Sequence, residues 1–427
     1  MKKFLALLLA VMMLASVLVA CGGDKKDTSA SGSGSGTADD SDPFYGDDNI
    51  ELLVWAADKA IDVTKELCDE FKAKYPDKKI DITVQVQGEG DAAAQVLNDK
   101  DAAADVFSFA CDQLTRLLNA NALTPISENR KEDVIARNSE ASVNAATVDG
   151  DLFAFPETGD NGYYLVYDKS VVSDEDAKTL EGVLAACKKA NRKFVIDAGN
   201  GFFSCMFPFT GGLTLEGISD DDVQLFNDYD EDKVVDTLEA FAKLFHDYSD
   251  VFLSSEATKI STGMASDPRI VAAGIDGSWN AAAVEDALGD DFGAVKLPTI
   301  NVNGTDEQIV SMHGYKLIGV NSHSKHLDAA EVLADFLTSE EAQLKRAQVL
   351  SWGPSNNEAV KDPSVTDNVA LSAILEQSKY SVPQVNIADT FWSPMGTLGN
   401  TLWKDADFSK DTIKKNFEKT IANIKDE

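Results

Sequence analysis

Ile50-Glu51-Leu52-Leu53-Val54-Trp55 opens the stretch that decides the fold. It is followed by Ile61, Thr64, Leu67, Cys68, Phe71 and Tyr75, then by Ile80-Asp81-Ile82-Thr83-Val84-Gln85-Val86, then by Asp105-Val106-Phe107-Ser108-Phe109. The first segment is a short apolar strand. The second recurs at helical spacing until Pro76 stops it, and the third alternates apolar and polar residues as a half-buried strand does. The fourth is another short apolar strand. The order β-α-β-α-β implies a parallel sheet with helices on its faces, whose ligand crevice lies at the carboxyl ends of the strands. The residues just after those strands are therefore the candidates for function.

Outward from this run, Val234, Leu238, Phe241, Phe245 and Tyr248 mark a second helical stripe, and Leu327 to Leu337 a third. Thr338-Ser339-Glu340-Glu341 opens a further helix with capping-box spacing. Ile413, Phe417, Ile421 and Ile424 form a terminal amphipathic helix. These stripes read as core, and no internal repeat is visible.

The 427 residues carry 38 Lys+Arg against 72 Asp+Glu, a net charge of −34, with 44% hydrophobic residues. So acidic a surface repels phosphate backbones and anionic lipid, and no basic patch offsets it, so nucleic acid is not an expected partner. Residues 1–20 read as a lipoprotein signal peptide: Lys2-Lys3, an apolar run from Phe4 to Val17, then Leu18-Val19-Ala20 before Cys21, the expected lipidation site. The run is short for a spanning helix. Residues 21–48, rich in Gly, Ser, Asp, Thr and Lys, read as a disordered tether. Cys68, Cys111, Cys187 and Cys205 show no metal-ligand spacing, and a Cys187–Cys205 bridge is not expected. Asp228, Asp230, Asp232 and Glu239 imitate the spacing of a calcium loop, but Lys233 stands where that loop needs glycine, and an acidic helix start is the better reading.

Four segments resemble the extracellular solute-binding proteins of carbohydrate ABC importers, and among them the maltose/maltodextrin-binding group. They are Leu53-Val54-Trp55 with Asp58-Lys59 and the helix to Tyr75; Ala104 to Asp112 (ADVFSFACD); Ala272 to Trp279 (AAGIDGSW); and Val320 to Gln343. Their order and spacing cover some 370 residues, roughly 49 to 425. The resemblance implies an α/β, two-lobed periplasmic-binding-protein-like fold of type II, with several hinge crossings and the ligand cleft between the lobes. The crossings it implies are Phe155 to Gly162, the stretch around Val310 to Tyr315, and one near Asn356 to Asp367. One lobe would then hold residues 49–156 with 315–360, the other 157–314 with 361–427.

A sugar ring presents apolar C–H faces and a belt of hydroxyls, so its recognition needs flat aromatic platforms beside carboxylate, amide or Lys groups. Trp279 and Trp392 are core tryptophans or stacking platforms on the sequence alone; the resemblance favours stacking. It also implies ligand contacts for Phe109, Asp112, Phe202 and the pair Asp58 and Lys59, the last two otherwise a solvated turn. In the crossing at 157–161 it calls for an acid, and Glu157 and Asp160 are the candidates, with Asn161 as another polar group there. Gln113, Asn200 and Ser393 stand where the maltodextrin group has Arg, an acid and an aromatic, which leaves xylo- and galacto-oligosaccharides open. Trp55 and Trp403 read as structural, and Trp352 as either cleft rim or turn packing.

No GxSxG, HExxH or P-loop occurs, and no sequence signature marks the carboxylate pair of a glycosidase. A surface adhesin would keep tether and lipid without needing aromatics at strand ends. The expectation is a monomeric, non-enzymatic receptor on the outer face of a bacterial cell membrane. It would take an oligosaccharide, foremost a malto-oligosaccharide, use no cofactor or metal, and have ABC permease subunits as partners.

Overall fold

The computed structural model describes residues 43–44, 49–219, 223–256 and 258–425. The signal-peptide and Cys21 readings lie outside the described residues. Phe44, within the stretch read as tether, is instead buried, with its ring 4.6 Å from Tyr75 and 6.3 Å from Phe71.

The opening run forms β1 (Asn49–Ala56), α1 (Ile61–Lys74), β2 (Lys79–Val86), α2 (Ala92–Asn98) and β3 (Val106–Ala110). β2 and β3 pair with β1 in parallel. Further on come β4 (Phe155–Asp168), β5 (Lys193–Ile196), α3 (Gly201–Ser204), α4 (Glu231–Asp247), β6 (Phe252–Ser254), β7 (Val271–Gly277), β8 (Phe292–Val295) and β9 (Ser311–Val320). The last part holds α5 (Leu327–Leu337), α6 (Glu340–Leu350), α7 (Val369–Ser378), β10 (Ser381–Pro383), α8 (Trp392–Lys404) and α9 (Lys410–Lys425). The helix ends follow local chemistry. Asp230 caps α4 by accepting from the Lys233 amide, which gives the acidic run at 228–232 its role, and Ser339 rather than Thr338 caps α6.

The strands run in the order β6-β5-β7-β4-β9-β3-β1-β2, with β8 also on β4 and β10 on β9. β4 is the pivot. Its first half, to Gly162, pairs antiparallel with β9, and its second half, Tyr163 to Asp168, pairs with β7 and β8. The two lobes pack around separate apolar clusters. One joins β1–β3, the start of β4, the end of β9 and α5, and includes Phe71, Phe107, Phe109, Phe155, Leu317 and Leu333. The other joins β5, β7, α4, α8 and α9 around Phe194, Phe207, Phe241, Leu398 and Phe417. A smaller cluster packs α7 under Tyr164 and Val166 of β4.

The four described cysteines are free and buried, Cys187 and Cys205 included.

Arg346 of α6 is 1% exposed; its Nε lies 3.2 Å from Glu157 Oε1 and its Nη1 donates to the Leu337 carbonyl at 2.5 Å. Ser108 also donates to Glu157. Removing one member of a buried ion pair strands the other charge, which typically costs about 3–5 kcal/mol. Arg346→Met should lower the urea midpoint by the equivalent of about 3–5 kcal/mol; a loss below about 1 kcal/mol would show the pair to be dispensable.

Candidate functional site

The β-strand alternation of β4 and β9 sorts their side chains onto two faces. Asn161 opposes Gly314, and Gly162 opposes His313. Asn161 and Lys316 face a cavity of about 540 Å³ that also takes in Glu89, Asp112, Asn200, Phe202, Phe203, Trp279, Gln384 and Trp392. Asp160 and His313 face the other side.

Aromatic rings make one wall. Phe202 lies 5.9 Å from Trp279 between ring centroids, tilted by 50°, and rests edge-on against Tyr163 at 5.1 Å. Phe203 touches both Tyr163 and Trp279 from beneath. The sequence builds this wall by close backbone approach. A Cβ on Gly201 would sit 2.2 Å from the Trp392 carbonyl oxygen, and one on Gly396 would sit 2.2 Å from the Gly199 carbonyl oxygen. Only glycine lets the first turn of α8 lie against the loop before α3, and this brings Trp392 to the same cavity as Phe202. Asn200 caps α3 by accepting from the Phe202 amide at 3.0 Å, which fixes the ring's approach.

Polar groups make the opposite wall and floor. Gln384, 4% exposed, joins the crossing to the first lobe: it accepts from Asn161 Nδ2 at 2.7 Å and donates to Asp112 Oδ1 at 2.8 Å. Burial pushes the Asp112 carboxyl up to about 7, against hydrogen bonds from the backbone and Gln384 that favour its charged form. Lys316 is 3% exposed, 3.2 Å from Glu89 Oε1, with its ammonium 3.5 Å above the Trp352 ring. Gln113 accepts from the Ala93 amide at 2.8 Å and donates to the Glu89 carbonyl at 2.5 Å, so it shapes the loop carrying Glu89. At the mouth, Lys59 reaches across to donate to Asn280, beside Trp279. Arg116 meets Asp389 at 3.0 Å in an adjoining hollow that shares Asp112 with this cavity.

Of the residues singled out from sequence, Asp112, Phe202, Trp279 and Trp392 converge on this cavity, and Lys59 sits at its mouth. Asp58 is exposed on the turn after β1. Phe109 is corrected: it is fully buried in the first lobe, its ring 5.6 Å from Phe107, because the apolar face of β3 turns it into the core. Glu157 is also corrected, since its carboxylate is committed to Arg346 and Ser108. Asp160 is 2% exposed and faces away from the aromatic cavity, so Asn161 is the crossing's polar contribution there. Trp352 packs beneath Lys316. Glu89, Lys316 and Gln384 join the cavity beyond the residues that the sequence singles out. Lys316 did carry a signal, a lone charge within Tyr315-Lys316-Leu317-Ile318; Gln384, on an irregular segment after β10, carried none.

Residues 66–373 match the family described as bacterial extracellular solute-binding protein. The chain is 24% identical over 409 residues to a galactooligosaccharide-binding protein of Bacillus subtilis (strain 168), covering 93% of this chain and 89% of that one. It is 22% identical to a maltotriose-binding protein of Pyrococcus abyssi, covering 88% and 82%. Among solved structures, one with acarbose superposes with a TM-score of 0.79 at 28% identity, over 88% of this chain and 99% of that one. The fold is also that of a maltodextrin-binding protein from L. casei BL23 without ligand, with a TM-score of 0.73 at 24% identity, over 89% and 100%.

Two outcomes follow from this geometry. Trp279→Ala and Trp392→Ala should each weaken oligosaccharide binding by about 2 kcal/mol or more, roughly thirtyfold, while the unfolding midpoint moves little. Wild-type affinity in either variant would remove that ring from the site. Asp112 holds its proton more tightly folded than unfolded, so stability should fall as pH rises from about 4 to 7 and level off above. In ligand-free protein, Asp112→Asn should flatten this decline by up to about 4 kcal/mol, the full value of a shift of about three units, less whatever water screens at this half-buried carboxylate. Equal slopes in urea titrations of variant and wild type would place Asp112 outside the effect.

Proposed function

We propose that this chain, which belongs to the bacterial extracellular solute-binding proteins, is the receptor of a carbohydrate ABC importer that closes its two lobes around a malto-oligosaccharide. The observation that carries the reading is the meeting of Phe202, Trp279 and Trp392 with Asp112, Asn161, Lys316 and Gln384 around one cavity of about 540 Å³. Aromatic rings offer flat apolar surface to the C–H faces of sugar rings, while the acid, amides and ammonium suit the hydroxyl belt. The aromatic wall comes from the second lobe while Glu89, Asp112 and Lys316 come from the first, so a bound sugar would bridge them and favour the closed arrangement, with Lys59–Asn280 and Arg116–Asp389 as latches. The lobes on this reading are 49–156 with 315–360, and 157–314 with 361–427.

The protein would act as a monomer without cofactor or metal and release its ligand unchanged. The relatives cited are named as binding proteins. Glu89 is paired with Lys316, and Asp112 accepts from Gln384. A Cys21 lipid would hold the receptor at the outer face of the membrane, where its closed form docks on permease subunits. No helix among the described residues is long and apolar enough to cross a membrane. Capture followed by release suits a Kd near 1 μM, about −8 kcal/mol.

Galacto-oligosaccharide is the second reading. It is favoured by the name of the B. subtilis relative, while Asn200, a neutral amide at the cavity wall where the maltodextrin group has an acid, counts against the first reading without choosing the other sugar. Calorimetric titration with maltotriose, galacto-oligosaccharides and xylotriose separates the two. Micromolar binding of maltotriose with the others weaker by tenfold or more is expected. Galacto-oligosaccharide binding with maltotriose inert would move the ligand to the second reading, and no binding of any oligosaccharide would overturn the receptor assignment.

A further inference from the structure

The same two crossing strands that floor the sugar cavity also roof a second one. On their opposite face lies a cavity of about 480 Å³, lined by Asp160, His313, Gly353, Pro354 and apolar residues that include Val360, Val365, Leu371, Ile374 and Leu375. Its mouth is unusually apolar for exposed surface: Val360 is 39% and Leu375 66% exposed. At its inner end Asp160 is 2% exposed, with Oδ2 accepting from the Gly353 amide at 2.7 Å and Oδ1 buried without a partner. No ion pair among the described residues supplies a cation to this carboxylate. The half-buried His313 ring lines the same cavity, and its Nδ1 also lacks a partner. Four residues along the same face of β4, the Tyr164 hydroxyl is likewise buried and unpartnered.

A buried carboxylate oxygen without a donor is costly, and the compensation that recovers most is a charge-assisted hydrogen bond from a cation. The residues around it favour an apolar body. We propose that this cavity behind the hinge is a second binding site, taking a small organic ammonium whose head pairs with Asp160 and whose hydrocarbon body lies on Val360, Leu371, Ile374 and Leu375.

The placement couples it to the first site. Asn161 and Asp160 are adjacent in one strand, as are Gly314 and His313 in the other, so the two cavities lie on opposite sides of the same hinge. The second cavity is open while Lys59–Asn280 bridges the mouth of the first and Arg116–Asp389 the adjoining hollow. Rotation about the crossing strands that parts those bridges narrows the space behind them. An ammonium seated behind the hinge therefore opposes opening, and by linkage it raises sugar affinity by the factor by which sugar raises its own.

The test is calorimetry with n-hexylammonium on the full protein, first without sugar, so that the result does not depend on which oligosaccharide binds. Saturable binding with a Kd of about 1 mM or tighter is expected, with n-hexanol and Asp160→Asn each at least tenfold weaker. Leu375→Trp, a change at an exposed mouth residue, should also abolish it by filling the entrance, which serves if Asp160→Asn fails to fold. Saturating hexylammonium should then tighten binding of the preferred oligosaccharide about fivefold or more. Absence of saturable amine binding, or binding indifferent to Asp160→Asn and Leu375→Trp, would overturn the site. Amine binding with sugar affinity unchanged or weakened would overturn the coupling.

Discussion

Everything in this molecule hangs on the pairing of two antiparallel strands, Phe155–Asp168 and Ser311–Val320, which belong to both lobes at once. Their register sets Asn161 against Gly314 and Gly162 against His313. Because alternate side chains point to opposite faces, this register decides which groups meet the aromatic-walled cavity and which are turned behind it. A slip of one residue would put Asp160 into the cavity and Asn161 out of it. The glycines at the crossing serve the same end: a Cβ on Gly162 would meet Ile374 at 2.7 Å and one on Gly314 would meet Gln384 at 2.4 Å. The strands can thus be packed closely on both faces and still carry a polar group to each.

The architecture was legible in sequence because its signals are local. Period-two and helical spacings between Ile50 and Phe109 are enough to imply the parallel arrangement of the first three strands. The aromatic wall was legible through Trp279, Phe202 and Trp392, each at the end of a strand or start of a helix. What sequence could not give was direction. Phe109 and Glu157 have the right chemistry for a sugar site, yet one faces the core and the other a buried arginine. The choice among Glu157, Asp160 and Asn161 turned on strand parity, which needs the partner strand's register to be known. Gln384 was out of reach, since its role comes from bonds to Asn161 and Asp112, residues 223 and 272 positions away.

The charge balance also takes on a definite meaning. An excess of 34 acidic charges has little to do with the cavity, where only three carboxylates stand: Glu89 is paired with Lys316, Asp112 accepts from Gln384, and Asp91 lies exposed to water. The cavity therefore meets a neutral ligand through rings and directed hydrogen bonds, and the acidity belongs to the outer surface, where it favours solubility. Lys316, clamped between Glu89 and the Trp352 ring, holds its ammonium at the floor without side-chain freedom left to lose on binding.

Closure of the lobes about the crossing strands is the claim on which the functional account rests. It is tested most directly by the distance between the lobes in solution, read by energy transfer between dyes at two exposed positions, Glu132 in the first and Lys243 in the second. Saturating maltotriose, or whichever oligosaccharide calorimetry selects, should move the population to a single shorter distance that a non-binding sugar does not produce. An unchanged distance distribution on saturation with a sugar that binds would contradict it.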